Sequence, residues 1–366
     1  MECKKCKCIG TVVLRKKDYY CSQCFITNVN HKFRASIGKN KVFSSTEKVL
    51  VGLSGGLGSS VLLDLVHDGV KLNTHKILRI IPVCLHITGF TSEDKDTELL
   101  NTIKDKCTKY GFDLYTVHIS NDFNDNIVVP INGGVVTTSQ DVINRFNSKK
   151  TKMSKTEWND FIEKKKQKLY VKMACILQCS CVFTGETTTT LACNLLSNIG
   201  LGRGAQLHHD VGFSDTRHET VKVLRPMKDI TKEELSNYAA IKLITCPLPQ
   251  EENKSNMDSL QSLINSFVVD LQENYSATIS TVCKTAEKIG SAVNECDKRC
   301  FHCQSDMNIK EDKLTAQEAT SFSKVVCLSH PQQQKMLEPQ SFNDTVKQSL
   351  PLYCYSCSRN KAFSIS

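Results

Sequence analysis

The chain has 366 residues, 47 Lys and Arg against 38 Asp and Glu, and a formal charge of +9. That length allows two or three domains with sizeable cores, and the composition is that of an ordinary soluble globular protein, with no apolar run of membrane-spanning length. Nineteen cysteines make an odd total, and the start Met1-Glu2-Cys3-Lys4-Lys5 has no apolar signal region. This argues against a disulfide framework, and the expectation is reduced thiols in a cytoplasmic setting, some of them holding metal. The basic excess makes a polyanion partner plausible without establishing one.

Residues 1–46 are expected to form a four-cysteine ribbon followed by a basic linker. Cys3-Lys4-Lys5-Cys6 and Cys21-Ser22-Gln23-Cys24 bracket a small hairpin, Thr11–Leu14 against Asp18–Tyr20. Two C-x-x-C turns at this separation bring four thiolates to one point, the tetrahedral soft-ligand set that zinc favours. So short a segment cannot bury enough apolar surface alone, and metal binding would supply the missing stability. Cys8 is an alternative ligand to Cys6. Phe25 to Thr46, with Lys32, Arg34, Lys39 and Lys41, reads as the linker, either solvated or lying on nucleic acid.

Residues 47–250 read as an α/β domain. Val49-Leu50-Val51-Gly52-Leu53 is a short strand, and an apolar run of helical spacing begins at Val61. Between them Ser54, Gly55, Gly56, Leu57, Gly58, Ser59 and Ser60 form a turn that collects unpaired N–H groups at a helix N-terminus. Glycine allows close approach and serine adds hydroxyl donors, so Ser54, Gly55, Gly56, Ser59 and Ser60 form a candidate phosphate cradle. Neither a P-loop ending nor G-x-G-x-x-G in register is present. Ile77–Ile87 is a second strand, Ser92 to Tyr110 a helix stopped at Gly111, and Leu114–Ile119 a third strand. Asn121 to Lys155 reads as a long polar loop or insertion. Trp158 to Leu177 reads as an amphipathic helix with a solvated lysine face, or an electrostatic track for RNA. Ser180–Thr184 is a fourth strand, Thr187–Ser197 a helix, and Val221–Pro226 the last strand, with a capping box at Thr231 opening one more helix. Arg203, set between glycines, is either a phosphate ligand or an exposed turn residue. Strand–helix alternation of this kind implies a doubly wound parallel sheet.

Residues 251–295 are expected to add two helices that close the domain. Residues 296–366 repeat the metal pattern, with Cys300-Phe301-His302-Cys303 and Cys354-Tyr355-Ser356-Cys357 separated by a polar insertion. The expectation is a second structural zinc ribbon on Cys300, Cys303, Cys354 and Cys357, with Cys296 and His302 as possible substitutes.

Ser54-Gly55-Gly56-x-x-Ser59 after a first strand resembles the PP-loop of ATP pyrophosphatases. Together with the cysteine turns at both ends, it makes nearly the whole chain similar to the tRNA 2-thiolation enzymes. Active members of that family adenylate a tRNA uridine and replace its oxygen with sulfur, using a cysteine pair and a third cysteine that in some members hold an iron–sulfur cluster. The active loop reads Ser-Gly-Gly-Lys-Asp-Ser, whereas here its centre is Leu57-Gly58. The acidic pair after the fourth strand is replaced by threonines in Gly185-Glu186-Thr187-Thr188-Thr189-Thr190, and Trp158 and Phe161 stand near the place of the cysteine pair. The later cysteine is retained as Cys246.

The resemblance therefore implies a degenerate subunit, with no catalytic residue other than the weak candidate Cys246. It implies tRNA and a catalytic PP-loop subunit as partners, wobble-uridine 2-thiolation in tRNAs for Lys, Glu and Gln, and sulfur from a thiocarboxylated ubiquitin-related modifier. Two structural zinc ions are expected, and no iron–sulfur cluster in this chain. The serines and glycines permit ATP, while loss of the acids weakens its binding. Two rivals stand beside this reading. One is an autonomous ATP-dependent sulfurtransferase using Cys246 with Cys175 or Cys179. The other is a zinc-stabilised scaffold that binds no tRNA.

Overall fold

Val49, Val51 and Leu53 alternate with Leu50 along one strand, and all four are buried, because both faces of that strand are covered by helices. The computed structural model describes residues 1–14, 17–74, 77–122, 129–204, 207–218, 220–246, 258–275, 277–290, 299–305 and 353–359. The chain divides into two compact units, the first Met1–Val293 and the second Asn294–Arg359.

The first unit opens with the antiparallel hairpin β1 (Val12–Leu14) and β2 (Asp18–Tyr20), then α1 (Ser22–Lys39). The expected basic linker is this helix. Cys21 caps it by accepting from the Cys24 N–H, and Phe25, Val29, Phe33 and Ile37 recur every fourth residue and are buried. The basic residues that suggested a linker sit around that stripe, where Lys32 bonds both carboxylate oxygens of Glu234 at 2.7 and 2.8 Å.

A seven-stranded sheet follows, in the order β6-β5-β4-β3-β7-β9-β8. Its members are β3 (Glu47–Leu53), β4 (Ile80–Thr88), β5 (Asp113–His118), β6 (Gly134–Val136), β7 (Cys181–Phe183), β8 (Ser214–Asp215) and β9 (Lys222–Leu224). All neighbours are parallel except β8, which runs antiparallel to β9. One face packs α1, α2 (Leu57–Val70), α3 (Glu93–Tyr110) and α8 (Lys232–Lys242) through Phe33, Leu62, Ile103 and Tyr238. The other packs α4 (Gln140–Lys150) and α5 (Lys155–Ile176) through Phe146, Leu169 and Met173. β6 and α4 correct the expectation of a long loop over Asn121–Lys155. β6 is short and glycine-led, and α4 has a single fully buried residue, Phe146, so neither carries a strong hydrophobic period.

α3 ends as expected, with Gly111 in the left-handed region at φ 74°. The capping box predicted at Thr231 is present: Thr231 Oγ1 accepts from the Glu234 N–H, and a Glu234 carboxylate oxygen accepts from the Thr231 N–H. On α5 the lysine face is less solvated than expected, since Lys164 is buried. α6 (Thr188–Gly200), α7 (Leu207–Val211), α9 (Leu260–Asn274) and α10 (Thr278–Gly290) form a helical group through Leu191, Leu195, Ala192, Val211, Ile264, Val268 and Ala286. In the second unit the described segments are 299–305 and 353–359, the latter carrying the short α11 (Tyr355–Arg359). Among the described residues no helix is long and apolar enough to cross a membrane.

Candidate functional site

The strand order reverses between β3 and β7, and in such sheets the crevice beyond the carboxyl ends of the two strands is where ligands bind. A cavity of about 730 Å³ lies there. Ser54, Leu57, Gly58 and Ser59 line one side, and Thr184, Gly185, Glu186, Thr189 and Thr190 the other. Gly52 forms part of the wall with Tyr170, whose ring lies so close that a Cβ at Gly52 would stand 2.9 Å from it. Burial pushes the Tyr170 phenol up to about 12, so it stays protonated. Ser262, Asn265 and Ser266 of α9 complete the wall, a contribution that the sequence alone did not assign.

The turn from β3 to α2 is built by its small residues. Gly55 has φ +82°, and a side chain there would meet Leu99 at 2.4 Å. Gly56 is the N-cap of α2 and makes no side-chain cap bond. Ser54 Oγ accepts from the Gly56 N–H at 3.4 Å and donates to Ser59 Oγ at 3.2 Å, and Ser59 Oγ donates to Gly56 O at 2.9 Å. Of the five cradle residues, Ser54 and Ser59 line the cavity, Gly55 and Gly56 shape the turn, and Ser60 is buried on α2.

Two carboxylates line the cavity, and both are engaged. Glu163 accepts from Lys166 Nζ at 2.6 Å. Glu186 accepts from Arg225 Nε at 2.8 Å, Thr184 Oγ1 at 2.9 Å and Asn194 Nδ2 at 3.1 Å. Arg225 is itself one link of a buried ionic chain. Arg203 grips both carboxylate oxygens of Asp160 at 2.6 and 2.7 Å and bonds Asn198, which donates to Asp210. Arg217 joins Asp210 to Asp215, and Asp215 lies 3.7 Å from Arg225. Burial alone would raise the Asp215 carboxyl, but Arg217 and then Arg225 outweigh it and hold the group far below the carboxylate range. Arg203 is thus neither a phosphate ligand nor an exposed turn residue. Its partner Asp160 lies 43 positions away in sequence, beyond the reach of a local reading.

The cysteines separate by position. Cys246 Sγ lies 3.5 Å from Gly55 O, beside the cradle. Cys181 is at the amino end of β7, paired in register with Val49, and Cys175 meets Thr220 Oγ1 at 3.2 Å. The sheet therefore keeps Cys181 at the opposite strand end from the cradle. Burial holds the Cys179 thiol up at about 11 and Cys181 at about 12, so both stay protonated. Trp158 and Phe161 pack with Phe146 at centroid distances of 5.1 and 6.1 Å.

The two cysteine sets are each assembled. The sulfurs of Cys3, Cys6, Cys21 and Cys24 lie within 4.8 Å of one another, as do those of Cys300, Cys303, Cys354 and Cys357. Cys6 and Cys21 sulfurs are 3.5 Å apart, and those of Cys303 and Cys354 are 3.6 Å apart. Tetrahedral ligands about 2.3 Å from one ion would have such spacings. Backbone hydrogen bonds from Cys21 and then Lys5 pull the Cys3 thiol down to about 6, while side-chain bonding to Cys6 and Cys21 pushes the Cys24 thiol up to about 12. Both sets fit a structural zinc ion. Cys8 and His302 stand outside these sets, His302 stacking on Tyr353 at 4.9 Å, and Cys296 lies outside the described residues.

The model of the family described as cytoplasmic tRNA 2-thiolation protein 2 matches residues 259–359. The Anopheles gambiae protein of that name is 32% identical over 342 residues, covering 88% of this chain and 79% of its own length. The chain belongs to this family. The Danio rerio protein of the same name is 30% identical over 378 residues, covering 88% of this chain and 75% of its own. Among solved structures, the U34-tRNA thiolase NcsA from Methanococcus maripaludis, determined with its 4Fe-4S cluster, aligns with a TM-score of 0.62 at 20% identity. That match covers 83% of this chain and 95% of the thiolase, and it places the parallel sheet in the PP-loop fold.

Proposed function

We propose that the chain is a subunit of a cytoplasmic tRNA 2-thiolation complex and performs no sulfur chemistry by itself. In this reading it binds tRNA and pairs with a catalytic subunit of the same fold. The pair modifies the wobble uridine of tRNAs for Lys, Glu and Gln, with sulfur delivered from a thiocarboxylated ubiquitin-related modifier. The carrying observation is the state of the two cavity carboxylates: Glu163 and Glu186 are each paired with a cation, Lys166 and Arg225, which disfavours a magnesium ion beside them. Adenylation needs a cation on the departing pyrophosphate, so a cavity so arranged is poor at it. The cysteine sets take zinc and stabilise the chain ends rather than supply a reactive thiolate.

Purified chain, tRNA and ATP should release no pyrophosphate, whereas addition of the catalytic partner should restore thiolation. Turnover by the isolated chain would refute the subunit reading. Binding to tRNA should weaken steeply between 50 and 200 mM salt, as phosphate contacts require. Salt-independent or absent binding would favour the scaffold reading. One specific observation supports the autonomous enzyme, namely the position of Cys246 beside Gly55. Cys246→Ser in the assembled complex separates the two: full activity removes Cys246 from the chemistry.

A further inference from the structure

The lysines between β6 and β7 divide into two sets. On α5, Lys164 is buried, Lys165 pairs with Asp122, and Lys166 bonds Glu163 at 2.6 Å. A track for RNA along that helix would find much of its charge already engaged. The corner between α4 and α5 is different. Residues 142–156 hold five basic side chains, Arg145, Lys149, Lys150, Lys152 and Lys155, and no acidic one, set against a formal charge of +9 for the whole chain. Arg145, Lys150, Lys152 and Lys155 are exposed, and Lys149 is half-buried. Among the described residues, Lys155 alone of the five has a carboxylate within salt-bridge distance, Asp258 at 3.0 Å. Both members of that pair are more than half exposed, so water weakens it.

The fold carries this corner past the carboxyl ends of the strands. α5 runs against the sheet: its end leads into Cys181 at the amino end of β7, Tyr170 lies against Gly52 near the carboxyl end of β3, and Glu163 lines the cavity beyond. At the helical rise per residue, Lys155 stands about 12 Å along the axis from Glu163, on the far side from the sheet. Phe146 packing on Trp158 and Phe161 holds α4 to α5, and Thr156 Oγ1 accepts from the Leu260 N–H at 3.0 Å. Helix chemistry explains part of the charge. Lys149 and Lys150 end α4, where cations complement the helix dipole. Lys155 opens α5, where a cation opposes it, and Lys152 belongs to neither helix. These two serve no local need. A protein-binding face would be poor in lysine and rich in aromatic side chains, whereas residues 142–156 expose no large apolar side chain. Lysines on a protruding polar corner match a phosphate backbone.

We propose that the α4–α5 corner is an arm that holds the phosphate backbone of tRNA at the cavity end of the sheet, through Lys149, Lys150, Lys152 and Lys155. Such contacts fix the position of an RNA without reading its sequence, because every tRNA presents the same phosphates. Choice of the uridine is left to other residues. This surface rests on the subunit reading for the identity of the polyanion, and it gives the RNA of that reading a place on the chain.

The test measures the affinity of an unmodified tRNA for Lys as a function of salt, using the full zinc-loaded chain assembled with its catalytic partner. Lys149→Gln, Lys150→Gln and Lys152→Gln combined should weaken binding about 10-fold or more and lower the slope of log affinity against log salt by about 2 to 3, close to one for each lost phosphate contact. Arginine at the same three positions keeps the charge and should keep both values. Lys152→Glu, outside both helices, is the second variant should the triple change loosen α4, and should weaken binding by itself. Lys39→Gln with Lys41→Gln is the control. These exposed lysines stand between α1 and the amino end of β3, and their loss should leave affinity and slope unchanged within about two-fold. Parental affinity and slope in both arm variants, or an equal loss in the control, would overturn the proposal. Loss of the catalytic subunit with tRNA binding kept would make the corner a protein-docking face and overturn it too. If the parental complex binds tRNA with a steep salt dependence and the arm variants match it, the arm is wrong and the subunit reading stands. If the parental complex binds no tRNA, both fall.

Discussion

Gly58 and Gly185 meet so closely that neither position has room for a side chain without backbone movement. This contact closes the place where the PP-loop resemblance puts an acidic residue. The departure is therefore structural as well as chemical, because the β7–α6 turn occupies the space that a side chain at position 58 would need.

Gly58→Asp should accordingly destabilise the protein instead of restoring chemistry. Overpacking of this kind costs about 1–3 kcal/mol. Urea unfolding of the variant and parent measures it, with ATP-dependent pyrophosphate release followed alongside. A variant as stable as the parent would show that the two turns separate easily.

Arg217→Met should be among the most damaging single changes, since it leaves Asp210 and Asp215 buried beside one another with one cation removed. Breaking a buried ion pair from one side costs about 3–5 kcal/mol. Denaturant midpoints decide it, and a loss below about 1 kcal/mol would mean that the chain of charges is not cooperative.

The same chain predicts an acid limb. The Asp215 pKa is lowered in the folded state from 3.8, so its contribution is fully present above that value and drains away as pH falls below it. Asp215→Asn should be less stable at neutral pH but show a shallower decline below pH 3.8 than the parent. Parallel stability–pH curves for the two proteins would contradict the assignment.

Elemental analysis should find about two zinc ions per chain, one for each cysteine set. Cys3→Ser and Cys303→Ser should each lose one, while Cys8→Ser should keep both, since Cys8 lies outside the assembled set. Iron in place of zinc after anaerobic purification would reassign the metal, and retention of both ions by Cys3→Ser would remove that residue as a ligand.

Tyr238→Phe tests the packing of α2. The phenols of Tyr238 and Tyr110 both donate to Asp64, each at 3.0 Å, and Asp64 is buried. Removing one donor should cost about 1–3 kcal/mol by thermal unfolding, with Lys242 at 3.7 Å as the remaining cation. An unchanged midpoint would show that water replaces the phenol.

Local chemistry decided much of this protein from the sequence outward. Paired C-x-x-C turns need few other residues to define a metal set, and both sets close as their spacing implies. β3, β4 and β5 are runs buried on both faces, so apolar content alone revealed them. Gly111 and the Thr231 box are punctuation written within a few residues. What spans the chain was not legible there. The stripe of α1 was hidden by lysines that turn to distant partners, as Lys32 does to Glu234. Arg203 looked like a phosphate ligand or an exposed turn residue until folding brought Asp160 to it, and nothing near Glu186 in sequence announced that Arg225 engages it. Whether a charge is spent or open depends on which residues the sheet order brings within 3 Å, and that is a property of the folded chain alone.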